Sequence, residues 1–327
     1  MKKSLLHMIG LLFFAIIAMG PNIPAYATNL GTAGGYNAFV FEDFSAMNSD
    51  IQGRLAAGGN VSLENYGVGT GLAQDTSQTT HTLVAGKNLT YTNGQIHNGN
   101  GLAGENAALS GVTVSNGTLM ENAALPIDFA AEKSYLTGLS SRLASMTPTG
   151  TAQDRWRALY FNGDGISDLQ IFDMDGSWWS GAHTFAFLDN TTNAPENATL
   201  VFNISGKTAA MQNAGMEAFF NGLGSSYDKV LFNFYEAVSL TLSGITIKGS
   251  ILAPLADVSA NNGNIDGTII ANSWDGNMEL HDLPFEPTTP VEPSAPVPEP
   301  ATFIFFFFGL TGLAGLTRTK KNLETAN

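Results

Sequence analysis

Two five-residue steps set 18 residues apart constrain this chain more than any other feature: Gly249-Ser-Ile-Leu-Ala253 is echoed by Gly267-Thr-Ile-Ile-Ala271. They lie in a stretch, Lys229 to Phe285, made of short β-prone runs (Val230–Phe234, Leu240–Leu242, Ile245–Ile247, Ile251–Leu252, Thr268–Ile270) punctuated by Gly, Asn and Asp. No run is long enough for a helix, and a fixed period of this size predicts stacked coils. A coil of that length holds two or three short parallel strands around a core, with Gly and Asn at corners that need positive φ. The expected fold is therefore mainly β, a right-handed β-solenoid.

Further repeats extend the expectation toward the N-terminus. Ala85-Gly86 recurs as Ala103-Gly104 after 18 residues, and Glu105-Asn-Ala-Ala-Leu109 recurs as Glu121-Asn-Ala-Ala-Leu125 after 16. Chance matching in a Gly-, Asn- and Ala-rich segment is the competing explanation. Between Pro126 and Met146 the pattern changes to helical spacing through Ile127, Ala130, Ala131, Tyr135, Leu136, Leu139 and Leu143, with Pro148 beyond the end. One amphipathic helix cannot hide its own stripe, so it is expected to lie along the solenoid. Thr199–Gly206 reads as a strand and Ala209–Leu223 as a short helix.

The same residues carry a resemblance. Asn233-Phe-Tyr-Glu-Ala237, Gly249 to Pro254, Asp266 to Ala271 and His281 ahead of Phe285 resemble the C-terminal half of the choice-of-anchor A domain. Tyr36 to Phe41, Asp50 to Asn60 and Leu83 to Asn88 resemble its N-terminal half. The resemblance implies an adhesive bacterial surface domain over residues 28–286, with no particular ligand attached. The helix-beside-solenoid arrangement is similar to that of bacterial ice-binding proteins.

Both ends read as sorting signals. Lys2 and Lys3, an apolar run from Leu11 to Met19, Pro21, Pro24 and the triplet Ala25-Tyr26-Ala27 form a secretory signal over residues 1–27, with signal peptidase expected to cut before Thr28. Residues 287–297 are a Pro-rich, semi-rigid spacer. Residues 298–327 open on Pro298-Glu299-Pro300, continue with an apolar run at 301–316 and carry a basic cluster at Arg318, Lys320 and Lys321. This order resembles the PEP-CTERM signal of Gram-negative bacteria. It implies an exosortase-like protease, transient anchoring in the inner membrane by a transmembrane segment at 301–316, and a final place at the cell surface or outside the cell.

Charge and composition narrow the partners. Residues 28–297 hold 9 Lys and Arg against 26 Asp and Glu, which argues against nucleic acid, since that partner needs a basic patch. Cations or neutral glycans fit better; with the family resemblance, the expected partner is extracellular polysaccharide or matrix protein, in the role of an adhesin or a biofilm component. The chain has no cysteine, so neither disulfides nor thiol chemistry enter.

Two local clusters are candidates for binding. Asn162, Asp164, Asp168, Asp173 and Asp175 alternate with glycines in the manner of calcium-binding turns, though no Glu completes an EF-hand loop; a solvated Asn/Asp turn is the alternative. Trp178 and Trp179 offer a glycan-stacking platform, or else, as neighbours in a β segment, put one ring in the core and one at its edge. His81, His97, His183 and His281 lack metal-ligand spacing, and no nucleophile elbow or zinc-protease motif is present. The expectation is a protein that is not an enzyme, with a polysaccharide lyase or hydrolase and an ice-binding-like protein as alternatives.

Overall fold

The computed structural model describes residues 29–74 and 80–288. The signal segment, most of the spacer and the PEP-CTERM segment with Pro298, Glu299 and Pro300 lie outside the described residues, as do Ala25 and Ala27.

After a 3-10 turn at Gly31–Gly35, the first stack runs β1 (Ala38–Val40), β2 (Phe44–Ile51), β3 (Leu55–Ala57), β4 (Val61–Val68), β5 (His81–Ala85), β6 (Leu89–Ile96), β7 (Asn100–Ala103), β8 (Ala107–Val114) and β9 (Leu119–Met120). Helix α1 (Phe129–Ala144) follows, then β10 (Thr151–Arg155), β11 (Ala158–Asn162), β12 (Leu169–Asp175), α2 (Gly176–Gly181) and β13 (Thr184–Phe187). The second stack comprises β14 (Thr199–Ser205), β15 (Thr208–Gln212), α3 (Glu217–Leu223), β16 (Val230–Asn233), β17 (Ser239–Lys248), β18 (Ser250–Asp266), β19 (Ile269–Gly276) and β20 (Glu279–His281).

These strands form parallel rows on three faces of a solenoid. The first face runs β12, β14, β16, β18, β19, β1, β3, β5, β7, β9. At ~4.8 Å per step this row is about 43 Å long. The second face runs β15, β17, β18, β19, β2, β4, β6, β8. The long strands then bend onto the third face, where β20 sits between β18 and β2. The order places the last coil against the first: Ile269, Ile270 and Ala271 pair with Ala38, Phe39 and Val40. Two stacks thus meet at a seam, with α1 connecting them.

The 18-residue recurrences are true coil registers, since Ile251 pairs with Ile269 and Ala85 with Ala103. Glycine recurs because the coils approach too closely for a side chain: a Cβ at Gly86 would stand 2.2 Å from the Gly58 carbonyl, and one at Gly104 would stand 2.3 Å from the Gly86 carbonyl. The corner between second and third faces takes the left-handed conformation, at Asn48, Asn65, Asn93 and Asn262 with φ of 54°, 49°, 52° and 55°. Another ladder, Asp43, Asn60, Asn88 and Asn106, ties successive coils, each side chain accepting the next backbone N–H at 2.7–3.3 Å.

Every residue of β14 except Ser205 is buried, because the first face is covered on both sides. Its inner side chains join the solenoid core. Its outer ones, with Ile171, Leu231, Leu252 and Ile270, meet Leu136, Leu139 and Leu143 of α1. Burying each leucine contributes about 1.5–3 kcal/mol. The helix begins where Asp128 accepts the Ala131 N–H at 3.0 Å. A buried polar clamp fixes it sideways: the Asn233 amide donates to the Ser140 carbonyl at 2.9 Å and to Asn203 Oδ1 at 2.8 Å, and Asn233 Oδ1 accepts the Ser140 hydroxyl at 2.6 Å.

At the β12 end the core is closed by aromatic rings. Phe161, Phe172, Phe187, Phe202 and Phe219 lie 4.8–6.0 Å apart between neighbouring centroids, under α3 and the small sheet of β10, β11 and β13.

Three sequence expectations are corrected. The segment 209–223 is not one helix: Thr208–Gln212 is drawn into parallel pairing with Ser239–Ser243, and only Glu217–Leu223 is helical. The 16-residue echo of Glu105 at Glu121 is not a coil register, since the Asn122 and Ala123 amides donate to the carbonyls of Glu105 and Ala103. Trp178 and Trp179 lie in α2, not in a strand.

Candidate functional site

Strand alternation builds a groove at the edge of the first face. On β12 the side chains of Phe172 and Met174 turn inward, so Asp173 and Asp175 turn outward together. Register brings Asn203 beside Asp173 and Ser205 beside Asp175. Asp175 then accepts the Ser177 N–H at 2.7 Å and starts α2, which raises Trp178 on the rim while Trp179 drops into the core. Trp178 is 42% exposed and Trp179 only 1%, the latter ring packing 4.7 Å from Phe185 and 5.4 Å from Phe232. With Tyr235, these residues enclose about 300 Å³, and no basic side chain lines the space.

The groove is anionic with donors at hand. Hydrogen bonds from the Ser177 hydroxyl and amide hold Asp175 below the usual carboxylate range, so it stays ionised. Burial, and then the nearby Glu236 carboxylate, push the Tyr235 phenol up, so it remains a protonated donor. Asp173 accepts the Asn203 amide at 2.9 Å, and that amide also reaches the Leu143 carbonyl at the end of α1 at 2.9 Å. The site is thus held by the same ladder that docks the helix.

The five residues expected to share a calcium do not converge. Asp168 and Asp173 are separated by about 16 Å of extended chain at ~3.3 Å per residue, and Asp175 lies further still. Asp164 is satisfied within its own turn, accepting the Ile166 and Ser167 amides at 3.0 and 2.9 Å, the Gln170 amide at 2.7 Å and the Ser167 hydroxyl. These bonds, the Ser167 hydroxyl first, hold its carboxyl well below the usual range. Asn162 donates to the Gly163 carbonyl at 3.1 Å, and Asp168 is exposed. Among the described residues no three His, Cys, Asp or Glu side chains stand where they could hold a metal ion.

Sequence reading missed Asn203, Ser205 and Tyr235. The signal was a second period: Asp173, Asn203 and Asn233 recur every 30 residues.

Two further surfaces are exposed. On the second face an outward column runs Thr241, Ser259, Asp275, Ser45, Ser62, Thr90, Ala108, small side chains all. At the seam, β19 and β20 turn the corner with one residue fewer than β18, from Gly276 to Glu279 against Ala260 to Asn264. The missing residue leaves a depression of about 260 Å³ edged by Met47, Asn261, Asp275 and Asn277. On the third face His281 is held between Asp266 at 2.6 Å and Glu279 at 3.2 Å. Among the described residues no helix is long and apolar enough to cross a membrane.

Comparison with known proteins follows this geometry. No curated protein matches the chain. The crystal structure of an ice-binding protein from an Antarctic ascomycete, Antarctomyces psychrotrophicus, is similar over 79% of this chain and 98% of that one, with 12% identity and a TM-score of 0.40. A family model described as "Putative Ice-binding-like adhesive domain" matches residues 29–282. That match spans both stacks, the seam and the groove, and the chain belongs to this family of ice-binding-like adhesive domains.

Proposed function

We propose that the protein is an exported surface adhesin whose solenoid attaches to extracellular polysaccharide through the Trp178 groove. The observation that carries this reading is the meeting of Trp178 and Tyr235 with Asp173, Asp175 and Asn203 around one cavity. An aromatic face packs against sugar C–H groups, while carboxylate and amide groups take the hydroxyls. The absence of basic side chains from the lining favours neutral or amino sugars over uronic acids.

The ends of the chain supply the rest of the proposal. Signal peptidase removes residues 1–27, and an exosortase-like protease cuts near Pro298-Glu299-Pro300 after the 301–316 segment has held the chain in the inner membrane. The solenoid winds right-handed, as parallel crossovers do. The role is attachment rather than catalysis.

The test is co-sedimentation with the producing organism's own polysaccharide, with calcium and with chelator. Loss of one stacked ring costs about 1.4 kcal/mol, so Trp178→Ala should weaken pelleting about tenfold. Equal pelleting of both proteins refutes the groove. Progressive loss of polymer viscosity would identify a lyase or hydrolase instead. Calcium dependence would return attention to Asp164 and Asp168.

A second reading is favoured by the small outward side chains of the second face, among them Thr241, Ser259, Ser45, Ser62 and Thr90. Asp275 and the depression at the seam interrupt this row, so the part that suits ordered water is Ser45, Ser62 and Thr90, and thermal hysteresis abolished by Ser62→Tyr would establish ice binding.

A further inference from the structure

The two ends of the solenoid are unlike. The β12 end is closed by the phenylalanine cluster, α3 and the small sheet. At the other end, among the described residues, β8 pairs only with β6 and β9 only with β7. The last core layer there, Ala107, Val112, Val114 and Leu119, is only partly buried, and Leu109 is 40% exposed although its position in the register points it inward with Tyr91. Met120 and Leu125, 36% and 38% exposed, lie at the same end.

Strands left at an edge in this way are normally guarded by lysine, proline or a bulge. The sequence of β8, Ala107-Ala-Leu-Ser-Gly-Val-Thr-Val114, has no charge and no proline, in a chain where acids outnumber bases by 28 to 14. One guard is present at its start, where Glu121 accepts the Ala107 N–H at 3.1 Å.

We propose that β8 is a dimerisation edge, occupied by β8 of a second copy in antiparallel pairing about a twofold axis. Three observations favour a second copy. An uncharged edge lets two acidic molecules approach where mutual repulsion is least. Its bend, at Gly111 with φ of 66°, sits next to the centre of the strand, so a twofold there lays corner on corner and matches both faces at once. The described chain also leaves at the far end: Thr288 donates its N–H to Thr199 Oγ1 on β14 at 2.8 Å, about 38 Å of stacking from β9. The open end is therefore clear of the point from which residues 289–327 continue.

The chain has no cysteine, which makes a direct test simple. Under mild oxidation the intact chain carrying Ser110→Cys should form a disulfide-linked dimer in high yield, whereas Ser62→Cys, on the same face two coils away, should not. Light scattering of the unaltered chain should give twice the monomer mass, and Leu109→Lys should halve it. Ser110→Lys, whose side chain is already exposed, serves the same purpose if Leu109→Lys fails to fold. A monomeric unaltered chain, equal cross-linking at both cysteines, or a dimer that survives Ser110→Lys overturns the proposal.

Discussion

Replacing Asn233 with alanine should cost this protein more than almost any other single polar change. The side chain is fully buried and satisfies three partners at once, the Ser140 carbonyl, the Ser140 hydroxyl and Asn203 Oδ1, at 2.6–2.9 Å. Removing it strands those groups where water has no access, and each stranded group costs about 1–3 kcal/mol. Because the Asn203 amide still holds the Leu143 carbonyl, the helix stays docked and part of the loss is recovered by relaxation. A net loss of about 4 kcal/mol is expected, which for a domain of this size lowers the melting temperature by roughly 8–16 °C. Ser140→Ala leaves only one acceptor without its donor and should cost about 1–2 kcal/mol. The double variant should then fall well short of the sum, because both changes remove the same bonds. Thermal unfolding followed by circular dichroism reads all three numbers. A shift below ~2 °C for Asn233→Ala, or additive losses in the double variant, would refute the clamp as the link between helix and solenoid.

Two other outcomes are expected. Gly86→Ala places a methyl 2.2 Å from the Gly58 carbonyl, so neighbouring coils must part; a loss of roughly 2–4 kcal/mol by denaturant titration is expected, against a gain of about 0.5–1 kcal/mol for Gly138→Ala, in the middle of α1, where a Cβ meets nothing within 4 Å. Asp175 and Asp257 both sit below their ordinary value of 3.8, through Ser177 and through Ser273 with Asn272, so their contribution is present above that value and is lost as pH falls through their lower folded values. Melting temperatures from pH 5 down to pH 2 should therefore drop less steeply in the Asp175→Asn, Asp257→Asn protein, and an unchanged slope would dismiss these two carboxylates as the cause.

Where coils are uninterrupted, the fold is legible from sequence: residues 249–271 and 85–104 repeat at 18 because nothing is inserted between their strands. The helix was legible because Leu136, Leu139 and Leu143 keep one face over about two turns. The candidate groove was half legible. Asp173, Asp175 and Trp178 stood out as chemistry-bearing residues, but their partners Asn203, Ser205 and Tyr235 follow a 30-residue period in coils that also carry α2, β13 and α3, and those insertions mask the recurrence. The expected helix at 209–223 failed for a tertiary reason, since an apolar pattern compatible with either state is decided by the strand at 239–243 beside it. Nothing local announces the seam, because Ala38–Val40 and Ile269–Ala271 read as any other strands and their pairing depends on the whole course of the chain between them.

That seam sets an order of events. Asn37 is fixed at its centre, its amide donating to the Gly267 and His281 carbonyls at 2.7 and 2.9 Å and its carbonyl accepting the Gly53 N–H at 3.1 Å. A chain threaded from its N-terminus can wind the coils of β1 to β9 early, yet the lower rim of that half-barrel waits for residues more than 200 positions later. Loop closure over such a span is slow, and a half-finished stack exposes unpaired strands at both rims meanwhile. Assembly of the domain is therefore governed by its last-delivered segment, and a chain truncated before Gly267 would be left with an open, sticky rim rather than a shorter version of the same molecule.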